Sequence, residues 1–185
     1  MKRTFIAIKV NASEKITETF EILKEDLNGE SVRWTDINKM HVTLAFLGDT
    51  SEDTIKEVSA MLRQICDNFK PFDFSISKLG IFKSLNDPRV IWAGIENSEK
   101  LSGLFSLIKS GLDLHNVVIE ERAFKPHLTL GRIKWIKSKP VLEDLLKRYS
   151  DYKFQDVNVT EVIYYESVLQ STGSIYIPIK TFRLS

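Results

Sequence analysis

The hydrophobic and polar positions of the 185-residue chain follow two periods, one helical and one strand-like. After Ser13, a predicted N-cap, apolar residues recur at helical spacing, whereas Phe72 to Leu79 alternates between apolar and polar. The pattern predicts helices over 13–27, 51–67, 98–114 and 142–149, and strands over 5–10, 32–34, 41–47, 72–79, 90–95, 127–133, 157–169 and 175–182. Because the two kinds of element are interspersed without strict alternation, we expect an α+β fold with antiparallel sheet, in a single domain spanning 1–185.

A short sequence occurs twice in the chain, close to half the chain length apart. The two copies are His41-Val42-Thr43-Leu44 and His127-Leu128-Thr129-Leu130, and each begins a predicted strand. Two of the three histidines of the chain are used in this way. The repeat indicates two similar lobes that face each other.

Side chains alternate between the two faces of a strand, which separates polar from apolar positions in each copy. His41 and Thr43 share one face, and Val42, Leu44 and Phe46 are expected to share the other and to pack against helices. Gly48-Asp49 is expected to end this strand, and 171–174 is a predicted turn between the last two strands. Two small residues come next on the polar faces and are predicted to leave room for a ligand, Ala45 and Gly131.

Two imidazoles and two hydroxyls around one cleft suit phosphate ester chemistry. One imidazole removes a proton from the attacking oxygen, and the other protonates the leaving oxygen. The hydroxyls of Thr43 and Thr129 can donate to the non-bridging oxygens of a phosphate. Because unperturbed histidine titrates near pH ~6.5, such a site should show a bell-shaped pH dependence.

A basic stretch surrounds the second copy. Residues 122–139 contain six Lys or Arg residues, beginning with Arg122, and no Asp or Glu. Lys137 and Lys139 are interpreted as solvated surface. Strict alternation would place Arg132 on the face opposite His127, but Gly131 allows a β-bulge that turns the guanidinium toward the cleft, where it would bind phosphate oxygens.

Composition narrows the classes of protein that fit. The net charge is +1, and Cys66 is the one cysteine, which excludes intrachain disulfides and multi-thiolate metal sites. No apolar run is long enough for a membrane span, so we expect a cytoplasmic protein, and nothing marks an interface, so we expect a monomer. Cys66 is interpreted as packing and His115 as a surface residue. Four aromatic residues are candidates either for stacking on a base or for the core, namely Trp34, Phe46, Phe82 and Trp92.

The two copies resemble the twin His-x-Thr-x motifs of the two-histidine phosphoesterases. Within that superfamily the chain is similar to the RNA 2′,3′-cyclic phosphodiesterases, also called the LigT or 2′-5′ RNA ligase family. The runs that carry the similarity, besides the motifs, are 5–8, Trp34, 44–48, 90–94, 124–132 and 175–184.

This resemblance implies a fold, a reaction and residue roles. The fold would have two pseudo-symmetric lobes, each an antiparallel sheet with helices outside, flanking a central cleft. The activity would be metal-independent hydrolysis of RNA 2′,3′-cyclic phosphate ends to 2′-phosphomonoesters, with 2′-5′ ligation as the reverse type of reaction, in the processing of RNA such as tRNA and with no cofactor. His41 would be the proton donor, His127 the proton acceptor, and Thr43, Thr129 and Arg132 would hold the phosphate.

Three other hypotheses stay open at this stage. The first is a two-histidine phosphoesterase for a small cyclic nucleotide, an ADP-ribose cyclic phosphate or a 2′-5′ oligonucleotide. The second is a module that binds RNA ends without turnover. The third, a zinc hydrolase, is disfavoured because no closely spaced set of His and carboxylate ligands occurs in the sequence.

Overall fold

The computed structural model describes residues 1–119, 123–171 and 173–185. Arg122 of the basic stretch and Thr172 of the predicted turn therefore lie outside the described residues. The elements are, in chain order, β1 (Lys2–Lys9), α1 (Glu14–Asp26), β2 (Ser31–Trp34), a 3₁₀ turn (Ile37–Lys39), β3 (His41–Thr50), α2 (Glu52–Cys66), β4 (Phe72–Phe82), β5 (Val90–Glu96), α3 (Glu99–Leu114), β6 (His127–Trp135), α4 (Lys139–Arg148), β7 (Lys153–Val159), β8 (Glu161–Gln170) and β9 (Gly173–Arg183).

The first two helices begin where their capping residues predict. The Ser13 hydroxyl accepts a hydrogen bond from the backbone N–H of Ile16 at 3.3 Å, and the Ser51 hydroxyl accepts one from that of Thr54 at 3.1 Å. Each bond satisfies a backbone donor that the first turn of a helix leaves without a partner. The apolar face predicted for α1 is buried. No helix within the described ranges combines the length and apolar character needed to cross a membrane.

The described strands form a sheet in the order β7-β4-β5-β6-β3-β1-β8-β9, with β2 beside β6. A single residue pair, Val42 opposite Leu128, joins β3 to β6 at the centre of this order, and both side chains are fully buried. The sheet thus has two halves, one on each side of that pair, and the α+β prediction with two lobes is confirmed. The helices share one core with one face of the sheet, which includes Ile6, Val42 and Leu128.

Each half of the chain contributes strands to the other lobe. β1 and β3 pair in the first lobe, and β5 and β6 pair in the second, each pair carrying one His-x-Thr motif. β4 follows the first motif in the chain but pairs with β5, and β8 follows the second motif but pairs with β1. The exchange ties the two lobes together, because neither lobe is formed from a continuous half of the chain.

The structure corrects two predicted strand boundaries. The segment 157–169, predicted as one strand, breaks at Thr160 into the end of β7, which pairs with β4, and β8, which pairs with β1. Both parts are extended, so periodicity alone does not show that they belong to different lobes. β3 also does not end at Gly48-Asp49 but runs to Thr50, because Gly48, with φ of +70°, lies at an irregularity of the β1–β3 pairing and not at a turn.

Candidate active site

The two motif histidines are held in the same way. The Nδ1–H of His41 donates to the carbonyl oxygen of Lys39, and that of His127 donates to the carbonyl oxygen of Lys125, each at 2.7 Å. A carbonyl oxygen can only accept, so the proton of each neutral ring is on Nδ1 and the lone pair is on Nε2. Each ring therefore has one nitrogen fixed by the backbone and one left to take or give a proton.

The motif side chains surround the residue pair that joins the two lobes. Because Val42 and Leu128 face the core, the residues on either side of them face the opposite surface of the sheet. The antiparallel register brings Thr43 beside His127, and in the same way it brings His41 beside Thr129. These four side chains are half-buried, and this register places the two motifs side by side where the two lobes join.

A β-bulge turns Arg132 onto the histidine face. Thr129 lies opposite Trp92 and Gly131 lies opposite Ile91, which leaves Leu130 as an extra residue on β6. Leu130 and Gly131 are both buried, and Arg132 is exposed and lines the cleft. The bulge that the sequence allowed next to Gly131 is therefore present, and it brings the guanidinium to the side of the imidazoles.

The same bulge occurs on β3 and corrects the expected positions of Phe46 and Ala45. Thr43 lies opposite Ala7 and Ala45 opposite Ile6, with Leu44 as the extra residue. After the bulge the alternation is shifted by one position, so Ala45 is 4% exposed whereas Phe46 is 40% exposed and lines the cleft. The prediction that Phe46 packs against helices was wrong.

The small residues after each motif do not leave room for a ligand either. Ala45 faces the core, and a Cβ at Gly131 would lie 2.9 Å from Cγ1 of Val32 and 3.0 Å from the Trp34 ring. The small size of residue 131 is thus required by the packing of β2 on β6. The expectation failed because the bulges move both residues off the polar face.

The cleft is a cavity of about 380 Å³ between the first lobe and Arg132. His41, Thr43 and Arg132 line it, whereas His127 and Thr129 adjoin it on β6 and do not form its wall. The lining residues that the sequence analysis missed are Arg3, Phe5, Ser167, Leu169, Ser174 and Tyr176. Arg3 and Phe5 are two residues apart on β1, so they lie on the same face of the strand. Their place in the cleft depends on the pairing of β1 with β3, for which the local sequence carries no signal.

Aromatic rings fix the orientation of both imidazoles. The centroids of Phe5 and Tyr176 each lie 5.1 Å from that of His41, and Tyr176 meets the ring edge-on. The centroid of Phe82 lies 4.6 Å from that of His127, also edge-on. Contacts of this kind limit ring rotation, so the two Nε2 atoms are held in place before substrate binds.

The four aromatic candidates for stacking have different positions. Phe46 is the one that lines the cleft, and the Arg3 guanidinium carbon lies 4.9 Å from its ring centroid. Trp34 meets Phe20 edge-on and belongs to the core periphery. Trp92 lies over Gly80, and its indole ring fills the space that a Cβ at residue 80 would occupy. Phe82 contacts His127, as described above.

Burial and positive charge both act on the imidazoles. Burial lowers the pKa of His41 below its usual value of 6.5, and the positive charges of His127 and Arg132 lower it further. Burial likewise lowers the pKa of His127; the hydrogen bond to Lys125 opposes this effect, and the charge of Arg132 adds to it. Burial and these charges together outweigh the hydrogen bonds to Lys39 and Lys125, which raise the two pKa values, so the site without substrate favours neutral imidazoles.

The other titratable candidates lie outside this site. Cys66 is fully buried, and burial raises the pKa of its thiol to about 12, in agreement with the predicted packing role. His115 follows α3 at the surface, with Nδ1 3.9 Å from a carboxylate oxygen of Glu57. Among the described residues, no group of three or more His, Cys, Asp or Glu side chains is placed to hold a metal ion.

The chain is similar to known proteins over nearly its whole length. The chain matches the family described as LigT like Phosphoesterase over residues 6–92 and 95–176. An RNA 2′,3′-cyclic phosphodiesterase of Thermotoga maritima is 36% identical over 176 residues, which are 94% of this chain and 91% of that protein. One of Archaeoglobus fulgidus is 29% identical over 182 residues, which are 98% of this chain and 99% of that protein.

Solved structures share the fold. The structure of E. coli LigT complexed with 3′-AMP superposes with a TM-score of 0.76 at 23% identity, covering 100% of this chain and 98% of that one. TT0787 of Thermus thermophilus superposes with a TM-score of 0.79 at 23% identity, covering 98% of this chain and 97% of that one. With its paired motifs, this chain is a two-histidine phosphoesterase. Within that class it belongs to the LigT-like phosphoesterase family.

Proposed function

We propose that this protein is an RNA 2′,3′-cyclic phosphodiesterase that opens the cyclic phosphate to a 2′-phosphomonoester. The observation that carries the proposal is the pair of imidazoles, each fixed through Nδ1 at 2.7 Å to a backbone carbonyl, with Arg132 beside them. The curated relatives with this name, 36% and 29% identical over nearly the whole chain, support the same reaction.

In the proposed mechanism the two Nε2 atoms act on opposite sides of the phosphorus atom. His127, neutral and unprotonated at Nε2, takes a proton from water, whose oxygen attacks phosphorus. The bond from phosphorus to the 3′ oxygen breaks, and protonated His41 gives its Nε2 proton to that oxygen. The phosphate remains on the 2′ oxygen, and proton exchange with solvent restores both histidines.

Arg132 and the two threonines bind the phosphate in this proposal. The guanidinium forms paired hydrogen bonds with the non-bridging oxygens, whose negative charge grows as water attacks. Thr43 and Thr129 donate their hydroxyl protons to the same oxygens. Bound phosphate also opposes the positive charge that lowers the pKa of His41, so the substrate itself favours the protonated donor.

The reverse exchange follows from the same geometry. If the 5′-hydroxyl of a second RNA occupies the position of water with the cyclic phosphate in place, its attack forms a phosphodiester on the 2′ oxygen. This would be the 2′-5′ ligation implied by the family resemblance.

The test is identification of the product. A short RNA with a 2′,3′-cyclic phosphate end is incubated with the protein in the presence of EDTA, beside His41→Ala and His127→Ala. We expect a 2′-phosphate from the unaltered protein only. A 3′-phosphate product would reverse the proposed leaving group, and loss of turnover in EDTA alone would contradict catalysis by these residues without a metal.

A further inference from the structure

A second, smaller cavity opens beside His41. Its volume is about 160 Å³, and it shares two lining residues with the cleft, His41 and Tyr176. The other side chains that matter here are those of Lys9, Asn38, Lys39 and Tyr165. From this geometry we propose, resting on the proposed function, that this cavity binds the phosphodiester preceding the reacting nucleotide, so that the preferred substrate is an RNA strand and not a mononucleotide.

Lys9 is the main reason for assigning an anion to this cavity. It lies directly opposite His41 in the β1–β3 pairing, so the two side chains leave the same face of the sheet. Lys9 is exposed, and none of the ion pairs found among the described residues involves it. An ammonium beside the proposed proton donor, with no ion pair to a carboxylate in the described part of the chain, would bind a phosphate that the substrate brings.

Two further donors line the same cavity. Lys39 contributes a second ammonium, and Asn38 contributes a side-chain amide. Lys39 forms an ion pair with Asp36 at 3.3 Å, which partly neutralises its positive charge. Lys9 is therefore the stronger anion-binding group of the two. The carbonyl of Lys39 also fixes Nδ1 of His41, which places the second cavity and the proton donor on one short segment.

The chemistry of the nucleotide gives the direction of the strand. His41 is proposed to protonate the departing 3′ oxygen, and the sugar carbons C3′, C4′ and C5′ connect that oxygen to the preceding phosphodiester. The preceding phosphodiester is therefore expected to lie on the same side of the cyclic phosphate as the 3′ oxygen and His41. His41 lines the second cavity, whereas His127 does not.

The test compares substrates that differ in this one phosphate. We would measure kcat/KM for a nucleoside 2′,3′-cyclic phosphate, for a dinucleotide with the same cyclic end, and for that dinucleotide with an uncharged methylphosphonate linkage. For the unaltered protein we expect the charged dinucleotide to exceed the other two by about tenfold, the size expected for one charge-assisted contact. Equal values for the charged and methylphosphonate dinucleotides would overturn the inference.

Variants assign the effect to this cavity. Lys9→Gln should remove most of the advantage of the charged linkage, and Lys9→Arg should restore it. Asp36→Asn keeps the acceptor for the Asn38 N–H, bound at 3.0 Å, but releases Lys39, so the advantage should rise by about two- to threefold. Lys70→Gln removes an exposed lysine outside both cavities and should change nothing. An equal loss with both linkages in Lys9→Gln would contradict the assignment.

A binding measurement separates this inference from the proposed function. Hydrolysis of the mononucleotide tests the reaction, whereas the ratio between linkages tests the cavity. If no substrate is hydrolysed, the dissociation constants of the two 2′-phosphate-ended dinucleotides decide the inference by themselves. Tighter binding of the charged one, lost in Lys9→Gln, would support the second cavity, and equal binding would refute it.

Discussion

Phe46 and Arg132 occupy equivalent positions on the two motif strands, each five residues after its histidine and each brought to the cleft by a β-bulge. One lobe thus contributes an aromatic ring and the other a guanidinium. The two histidines are bonded to the backbone in the same way, each through Nδ1 to the carbonyl oxygen two residues before it. The surroundings of the two histidines differ because one lobe supplies a ring and the other a guanidinium. This difference places the group proposed to neutralise phosphate charge on the strand of His127, the proposed proton acceptor.

Arg132 should be required for turnover and not replaceable by lysine. Removal of one preorganised donor to a developing oxyanion typically costs at least about 100-fold in kcat. We expect Arg132→Ala to lose that much, and Arg132→Lys to recover little because an ammonium cannot form the paired hydrogen bonds of a guanidinium. The measurement is kcat on the cyclic-phosphate RNA. Lys134→Ala, on the same strand, is the matched control, and wild-type turnover by Arg132→Ala would exclude this role.

The two histidines should control opposite limbs of the pH profile. We expect His41→Ala and His127→Ala each to lower kcat/KM by about 10²–10⁴-fold. In the pH profile of the residual activity, loss of the proton donor His41 should remove the decrease at high pH, because that decrease reports deprotonation of the donor. Loss of the acceptor His127 should remove the decrease at low pH. Measurement of kcat/KM as a function of pH for both variants, over the range in which the protein stays folded, checks this prediction. If His41→Ala instead loses the acidic limb, the two roles are exchanged.

Substrate should move the alkaline limb. In the free protein, burial and the charges of His127 and Arg132 hold the pKa of His41 below 6.5, so kcat/KM should fall as the pH rises from below that value. In the complex the phosphate anion favours protonated His41, so the limb of kcat should lie at higher pH. Parallel profiles of kcat and kcat/KM test this, and coincident limbs would show that the anion does not act on His41.

The same lowered pKa values predict that the protein loses stability in mild acid. The unfolded chain binds protons at its histidines near pH 6.5, whereas folded His41 and His127 bind them only at lower pH. The contribution of these two histidines to the free energy of unfolding should therefore not change with pH above pH ~6.5, and it should decrease as the pH is lowered further. Urea unfolding at several pH values measures the slope, which should be smaller in His41→Gln. An unchanged slope in that variant would contradict the prediction.

Gly131→Ala should impair both stability and activity. A Cβ would lie 2.9 Å from Val32 Cγ1 and 3.0 Å from the Trp34 ring, so these side chains would have to shift to accept it. We expect a loss of about 1–3 kcal/mol in the free energy of unfolding, typical of overpacking. Because residue 131 precedes Arg132 at the bulge, kcat should fall as well. Gly103→Ala, where a Cβ meets no atom within 4 Å, is the control.

Local sequence signals predict a large part of the secondary structure and of the candidate site. The starts of α1 and α2 follow from Ser13 and Ser51, whose hydroxyls bond backbone N–H groups three residues later. The side of the strand on which His41 and Thr43 lie follows from the two-residue period, because neighbouring side chains must point in opposite directions. Gly131 also signals the bulge on β6, whereas Ala45, its equivalent on β3, carries no such signal.

By itself, the sequence determined the two motif strands and the shared face of the histidine and threonine in each motif, since both depend on the local two-residue period. It also singled out the residues of the proposed catalytic pair and their proposed phosphate-binding neighbours. Only the tertiary structure decided that Phe46 faces the cleft, that Arg3 and Tyr176 complete its wall, and that β7 and β8 belong to different lobes. The physical reason is that strand register and sheet neighbours are set by hydrogen bonds between distant segments. A shift of one residue in that register moves every later side chain to the other face.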